Sequence, residues 1–65
     1  MPARSTELRR EARIHDLEAA RLRRQAVRLA RRGSCFTAAE CSERAVRESA
    51  FAAQCRLSAI NHEQE

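Results

Sequence analysis

Apolar and small side chains recur at alternating steps of four and three residues along the first half of the chain. This spacing is the heptad pattern of a helix that packs one stripe of its surface against another helix. The stripe, called here the heptad seam, consists of Leu8, Ala12, His15, Ala19, Leu22, Ala26 and Leu29. It predicts one long amphipathic helix over about residues 6–32, with Ser5 or Thr6 as its N-cap.

The one glycine of the chain, Gly33, directly follows this helix. Its position is typical of the left-handed residue that ends a helix. Thr37 and Glu40 have the spacing of a capping box, and Phe36 would pack on Cys41 as a hydrophobic staple. The predicted boundaries are a turn at 33–36, a second helix at about 37–60 and a tail at 61–65.

So short a connection makes two helices antiparallel neighbours. The predicted buried face of the second helix consists mostly of small residues, namely Ala39, Cys41, Ser42, Ala45, Val46, Ser49, Ala52, Ala53, Leu57, Ala59 and Ile60. A 65-residue chain with so few large apolar residues has a thin core. We therefore predict an all-α antiparallel two-helix hairpin, a single domain over 1–65, and expect it to pair into a dimeric four-helix bundle.

The cysteines give no sign of a metal or a disulfide framework. There are three, an odd number, and no Cys-x-x-Cys. Cys41 and Cys55 would lie about 21 Å apart on one helix, too far to share an ion. The N-terminal residues lack the apolar region of a signal peptide, and no stretch is long enough for a membrane span. We expect a cytoplasmic protein with reduced thiols, no cofactor and no membrane partner.

Catalysis has little support in the sequence. No Ser/His/Asp or Cys/His combination would be brought together by a hairpin, and no glycine-rich phosphate loop is present. His15 falls on the heptad seam, where a packing role is the simplest interpretation and a pH-sensing role the alternative. We predict that the protein is not an enzyme.

Charge is concentrated in the first helix. Residues 1–32 contain ten arginines and four acidic residues, a net charge of +6, whereas residues 33–65 carry −2. The arginines that could contact nucleic acid or an acidic protein are Arg21, Arg24, Arg28, Arg31 and Arg32. Such a stripe can neutralise phosphates, but it can equally be a solvated helix face, and no aromatic residues accompany it to stack on bases.

Some large apolar residues do not fit the predicted seams. Ile14 and Leu17 lie on the arginine side of the first helix, and Phe51 lies on the charged side of the second. Together with Leu57 they are candidate partner-binding residues, because several exposed apolar side chains on so short a chain indicate a contact surface.

The segment from Arg24 to Arg56 resembles the AraC-negative-regulator (ANR) family of small proteins of enteric bacteria and their phages. The matching residues are Ala26, Leu29, Gly33, Phe36, Ala38, Ala39, Ala45, Cys55 and Arg56. The resemblance implies a non-enzymatic regulator that binds a transcription factor and blocks its action. The turn at Gly33-Ser34-Cys35 is also similar to that of the helical-hairpin co-chaperones of type III secretion needle subunits.

These observations favour a small regulatory protein that forms a homodimer and binds another protein, with a transcription regulator as the expected partner. Two alternatives stay open. The first is nucleic-acid binding through the arginines of the first helix, and the second is a role as a helical co-chaperone or as a structural subunit of an assembly.

Overall fold

The computed structural model describes residues 2–64, with side chains from Arg4 onward, as two helices of 30 residues each. Helix α1 spans Pro2–Arg31 and helix α2 spans Cys35–Gln64. They pack against each other as an antiparallel hairpin with extents of 50 × 13 × 9 Å. The predicted all-α hairpin is therefore confirmed.

The heptad seam of α1 faces α2, as its spacing predicts. Leu8, Ala12, Ala19, Leu22 and Ala26 are buried, and the two remaining members of the seam are half-buried. Leu22 is the largest side chain that is fully enclosed, at 1% exposure. It packs with Ala19 of its own helix and Ala45 of α2. The pattern thus places a leucine of α1 against alanines, which lets the helices approach closely.

Helix α2 contributes a matching stripe with its own alternation of three and four residues. This inner seam consists of Ala38, Cys41, Ala45, Glu48, Ala52, Cys55, Ala59 and His62, all buried or half-buried. Four of the residues predicted to be buried belong to it: Cys41, Ala45, Ala52 and Ala59. The core of the described chain is therefore made largely of alanine, with Leu8 and Leu22 as its large buried side chains.

The rest of the predicted buried face of α2 is wrong. Six of its members are exposed, namely Ala39, Ser42, Val46, Ala53, Leu57 and Ile60, and Ser49 is half-buried. The physical reason is that Leu8 and Leu22 of α1 fill the space between the helices at their own levels and leave room there for alanine, as where Leu22 packs with Ala45. Val46, Leu57 and Ile60 are consequently turned away from α1, with 41 to 67% of their surfaces exposed.

The turn is a Schellman motif centred on Gly33. The Ser34 N–H donates to the Leu29 carbonyl at 2.9 Å, and the Gly33 N–H donates to the Ala30 carbonyl at 3.0 Å. Gly33 has a φ of 85°, the left-handed conformation expected of it, and no atom lies within 4 Å of where a Cβ would stand. Glycine is therefore needed for its backbone conformation and not for space.

The second helix begins earlier than predicted, so the capping box is a wrong prediction. Helix α2 starts at Cys35, and the Ala38 N–H already donates to the Ser34 carbonyl at 2.9 Å. Ser34 thus takes the N-cap position, while Thr37 and Glu40 lie inside the helix. The staple is also wrong, because Phe36 is 79% exposed.

The outer ends of both helices are longer than predicted. Helix α1 begins at Pro2 instead of capping at Ser5 or Thr6, and proline suits a first helical turn because its missing N–H would have no partner there. Helix α2 continues through the predicted tail to Gln64. Its last turn is held by Glu63, which accepts two hydrogen bonds of 2.9 Å from Arg9. Residue 65 of the predicted tail lies outside the described residues.

Candidate functional site

Helix α2 carries a second stripe with the same spacing as its inner seam, and this stripe faces away from α1. The outer stripe consists of Phe36, Ala39, Glu43, Val46, Ala50, Ala53, Leu57 and Ile60, all exposed. At 100° per residue it lies about 160° around the helix from the inner seam. A helix with two apolar stripes, one of them unpaired, presents a surface suited to another helix.

The outer stripe is apolar over most of its length. It extends about 36 Å along α2, from Phe36 to Ile60, and its single charged member is Glu43. Its large side chains lie mainly towards the ends, while Ala50 and Ala53 make its middle shallow. Isolated exposed apolar residues are ordinary, but a continuous stripe of this length indicates an interaction surface.

A second apolar surface lies mainly on α1. This open groove, called here the His15 groove, is lined by Ile14, His15, Leu17, Glu18, Arg21, Arg24 and Glu48. Ile14 and Leu17 are 59% and 61% exposed. The groove therefore combines two apolar side chains with a rim of both charge signs, in which an amphipathic segment could bind.

The floor of the His15 groove is an interhelical contact. The His15 Nδ1 lies 2.5 Å from a carboxylate oxygen of Glu48, and both side chains are partly shielded from solvent. The imidazole also lies against the Phe51 ring, with centroids 5.5 Å apart and planes tilted by 32°. A polar residue on the heptad seam is thus matched by a polar residue at the facing position of α2, so that neither is left unpaired.

The rim of the groove is ordered by a local ion pair. Arg21 donates to both carboxylate oxygens of Glu18, at 3.0 Å from Nε and 2.5 Å from Nη2, and donates to Gln25 at 3.3 Å. The hydrogen bonds between Arg21 and Glu18 lower the pKa of Glu18 below its usual range and raise the pKa of the Arg21 guanidinium. The hydrogen bond stabilises both charged forms, which is why the two shifts are opposite in sign.

The four predicted partner-binding residues fall on two separate surfaces. Ile14 and Leu17 line the His15 groove, and Phe51 is 52% exposed beside it through its contact with His15. Leu57 belongs to the outer stripe on α2 and has no place in the groove. The structure therefore brings three of the four together.

The five candidate arginines differ in their surroundings. Arg21 is engaged with Glu18, whereas Arg24, Arg28, Arg31 and Arg32 form no ion pair with any other residue that the structure describes. All five are exposed. Three of the unengaged four lie in the C-terminal part of α1 and Arg32 lies in the turn, where their charge is available to an outside partner.

A further apolar strip joins the two helices near the turn. It is lined by Arg23, Ala26, Val27, Ala30, Cys35, Ala38, Ala39 and Ser42. Ala39 also belongs to the outer stripe, so the two are continuous. At the opposite end this side of the hairpin is bridged by ion pairs from Arg56 to Asp16 and from Arg9 to Glu63.

Two features of these surfaces were missed in the sequence. Glu48 was not identified as the partner of His15, and the outer stripe was merged with the buried face. The sequence signal for both features is that α2 contains two heptad repeats, one forming the inner seam and the other forming the outer stripe. Once Ala45 and Ala52 are placed on the inner seam, Glu48 must lie between them, facing α1.

No group of three His, Cys, Asp or Glu side chains in residues 2–64 is arranged to hold a metal ion. All three cysteines are free, with Cys35 exposed, Cys41 buried and Cys55 half-buried. Neither described helix has an apolar stretch that could span a bilayer.

In comparisons with known proteins, no family model, no curated protein and no solved structure matches this chain. The surfaces themselves are therefore the basis for a functional proposal.

Proposed function

We propose that this protein is not an enzyme and acts by binding other proteins through the two apolar surfaces of its hairpin. The observation that carries the proposal is an inverted distribution of large apolar side chains. Leu8 and Leu22 are buried, whereas eight others are 41 to 79% exposed: Ile14, Leu17, Val27, Phe36, Val46, Phe51, Leu57 and Ile60. Leaving so much apolar surface in water is unfavourable, so a surface of this kind is typical of a chain that functions with a partner.

The outer stripe fits a helix and the His15 groove fits a different partner. Heptad spacing on the stripe selects a second helix with the same repeat. In the groove, Ile14 and Leu17 would supply the apolar contacts while Arg24, which has no acidic partner among the described residues, would orient an acidic segment. We propose that the groove binds an acidic amphipathic segment of a transcription regulator. The resemblance of residues 24–56 to the ANR family supports this choice of partner.

The test is affinity capture from the native host, with nuclease treatment to remove nucleic acid. The baits are the unmodified chain, Leu17→Glu in the groove, and Ser58→Glu as the matched control. Ser58 is an exposed, neutral position of α2 outside the groove and outside the outer stripe. We expect the unmodified chain and Ser58→Glu to retain the same protein, and Leu17→Glu to lose it.

Two results would contradict the proposal. The first is the absence of any specific protein in the nuclease-treated capture. The second is equal retention by Leu17→Glu and the unmodified chain, since a glutamate cannot enter an apolar contact without a large desolvation cost.

A second candidate function is nucleic-acid binding, favoured by the unengaged arginines near the turn. Replacing Arg24, Arg28 and Arg31 with glutamine would then weaken binding and flatten its salt dependence. If each of the three neutralises one phosphate, the slope of log K against log salt should fall by about 2.7 on duplex DNA. Binding that is absent, or that keeps its slope in the triple variant, rules this function out for these arginines.

A further inference from the structure

We infer that the outer stripe of α2 binds the outer stripe of a second copy of this chain, with the two α2 helices antiparallel. This inference rests on the proposed function, because it names the protein that covers one of the two surfaces. It leaves the His15 groove of each copy free for the regulator.

The single chain exposes more surface than a compact protein of its mass. A compact protein of 7.4 kDa exposes about 4,200 Å², whereas this chain exposes 4950 Å². The excess of about 750 Å² is close to the roughly 800 Å² that each partner buries in a protein interface of standard size. The surface that the chain exposes beyond the compact expectation is therefore about as large as the surface that one partner buries in a stable dimer.

The residue spacing of the outer stripe also indicates which helix would bind to it. Residues spaced by three and four stay in register only with a helix that carries the same repeat over the same length. A second α2 has that length and that repeat. The stripe is also self-complementary in size, provided that the two helices run in opposite directions.

An antiparallel arrangement centred at the level of residue 48 places Val46 and Leu57 against alanines and pairs Phe36 with Ile60 at each end of the stripe. In this register four layers form, and each occurs twice: Phe36 with Ile60, Ala39 with Leu57, Glu43 with Ala53, and Val46 with Ala50 of the second copy. The hairpin itself already uses this rule, since Leu22 packs with Ala19 and Ala45. Alternating sizes across facing positions fill space without overlap.

The parallel arrangement is disfavoured by charge and by volume. In register, it would set Glu43 directly against Glu43 of the second copy, and like charges in a low-dielectric seam repel strongly. It would also set alanine against alanine in three of its layers, which leaves voids. In the antiparallel register the two Glu43 residues lie about 15 Å apart along the axis, each facing an alanine.

The test introduces opposite charges at the two facing positions of one layer. Val46→Glu and Ala50→Arg are made separately, with Ser58→Glu as the control for an added charge on α2. Both substituted positions are exposed in the hairpin, so each variant keeps its helical circular dichroism. Association is measured by sedimentation equilibrium for each chain alone and for an equimolar mixture of the first two.

We expect the unmodified chain and Ser58→Glu to dimerise. Each of the other variants should raise the dimer dissociation constant by more than about a hundredfold, because a dimer buries two unpaired charges. The mixture should recover a heterodimer, because the glutamate introduced at position 46 of one chain meets the arginine introduced at position 50 of the other in the antiparallel register. In a parallel register position 46 meets position 46, so mixing would relieve like-charge repulsion without forming this ion pair, and the recovery should be smaller.

The orientation has a direct readout at a native thiol. With Cys41 and Cys55 replaced by alanine, a spin label on the exposed Cys35 should report an interlabel distance of about 40 Å in the antiparallel dimer, against about 10 to 15 Å in a parallel one.

A monomeric unmodified chain at about 100 µM, or a mixture without heterodimer, would overturn this inference. The proposed function is judged separately by the groove. If the chain is monomeric while Leu17→Glu still loses the captured protein, the self-pairing is wrong and the protein-binding function stands. If the chain dimerises as described while no protein is captured, the self-pairing stands and the regulator-binding function is wrong.

Discussion

Replacing Leu22 with alanine tests the packing of the hairpin at its most enclosed point. Leu22 is 1% exposed and contacts alanines on both helices. Leucine-to-alanine substitutions in protein cores cost roughly 2 to 5 kcal/mol, and we expect the lower end, about 2 to 3 kcal/mol, because a two-helix seam is open at its sides and can partly collapse. A protein of this length has a total stability of about 3 to 10 kcal/mol, so the loss is a large share of it.

The assays are urea unfolding and thermal unfolding, both followed by circular dichroism, with the chain concentration held constant because association changes apparent stability. The midpoint of thermal unfolding should fall by roughly 10 to 20 °C. Leu17→Ala is the matched control, as the same substitution on the same helix at a side chain that is 61% exposed. It should change stability by no more than about 0.5 kcal/mol. Equal losses in the two variants would refute the assignment of Leu22 to the inside of the hairpin.

Three further substitutions test local features. Gly33→Ala should destabilise the hairpin by about 1 to 2 kcal/mol because of its positive φ, while D-alanine in a synthetic chain should not, and urea unfolding of both decides it. The pKa of Glu18, measured by NMR titration, should lie below the usual range and rise towards it in Arg21→Gln. Because the pKa of Glu18 is lower in the folded state, the ion pair stabilises the fold above the unfolded-state pKa. This stabilisation is lost as pH falls through the folded-state pKa. Glu48→Ala should destabilise by about 0.5 to 1.5 kcal/mol by removing the partner of His15, and Glu48→Gln by less, since an amide oxygen still accepts a hydrogen bond.

The first helix and the turn could be predicted because each depends on local or strongly periodic signals. Leucines at heptad spacing, such as Leu8 and Leu22, mark the face of α1 that is buried. Gly33 follows the helix at the position expected of the residue that ends it. The capping residue was missed because the Schellman motif ends at Ser34, whose carbonyl starts the next helix at once. The stronger sequence signal at Thr37 therefore lies inside α2.

The heptad spacing of hydrophobic residues, which predicted the buried face of α1, could not distinguish the buried face of α2 from its exposed face. Alanine lies on both faces, as in the adjacent pair Ala52 and Ala53, so hydrophobicity does not distinguish inside from outside. Size decides it where a leucine of α1 faces α2, because Leu22 leaves space only for a small side chain such as Ala45. Assigning Val46 and Leu57 to the core by their hydrophobicity was wrong for that reason, and matching the facing positions of both helices together would have placed them outside.

The adjacent alanines of α2 give the most direct test that one helix carries an inner seam and an outer stripe that binds protein. Ala52 is fully buried and Ala53 is exposed, so the same substitution reports on two different surfaces. The measurement is thermal unfolding by circular dichroism at chain concentrations from about 1 to about 100 µM, since a partner that binds only the folded chain raises the midpoint with concentration.

We predict that the midpoint of the unmodified chain rises with concentration. In Ala53→Glu the helical signal should remain and the midpoint should stop depending on concentration, because the glutamate introduced at position 53 would face Glu43 of the second copy. In Ala52→Glu the cooperative transition itself should be lost, because the charge would be buried between the helices. An Ala53→Glu variant that unfolds with the same concentration dependence as the unmodified chain would contradict the account.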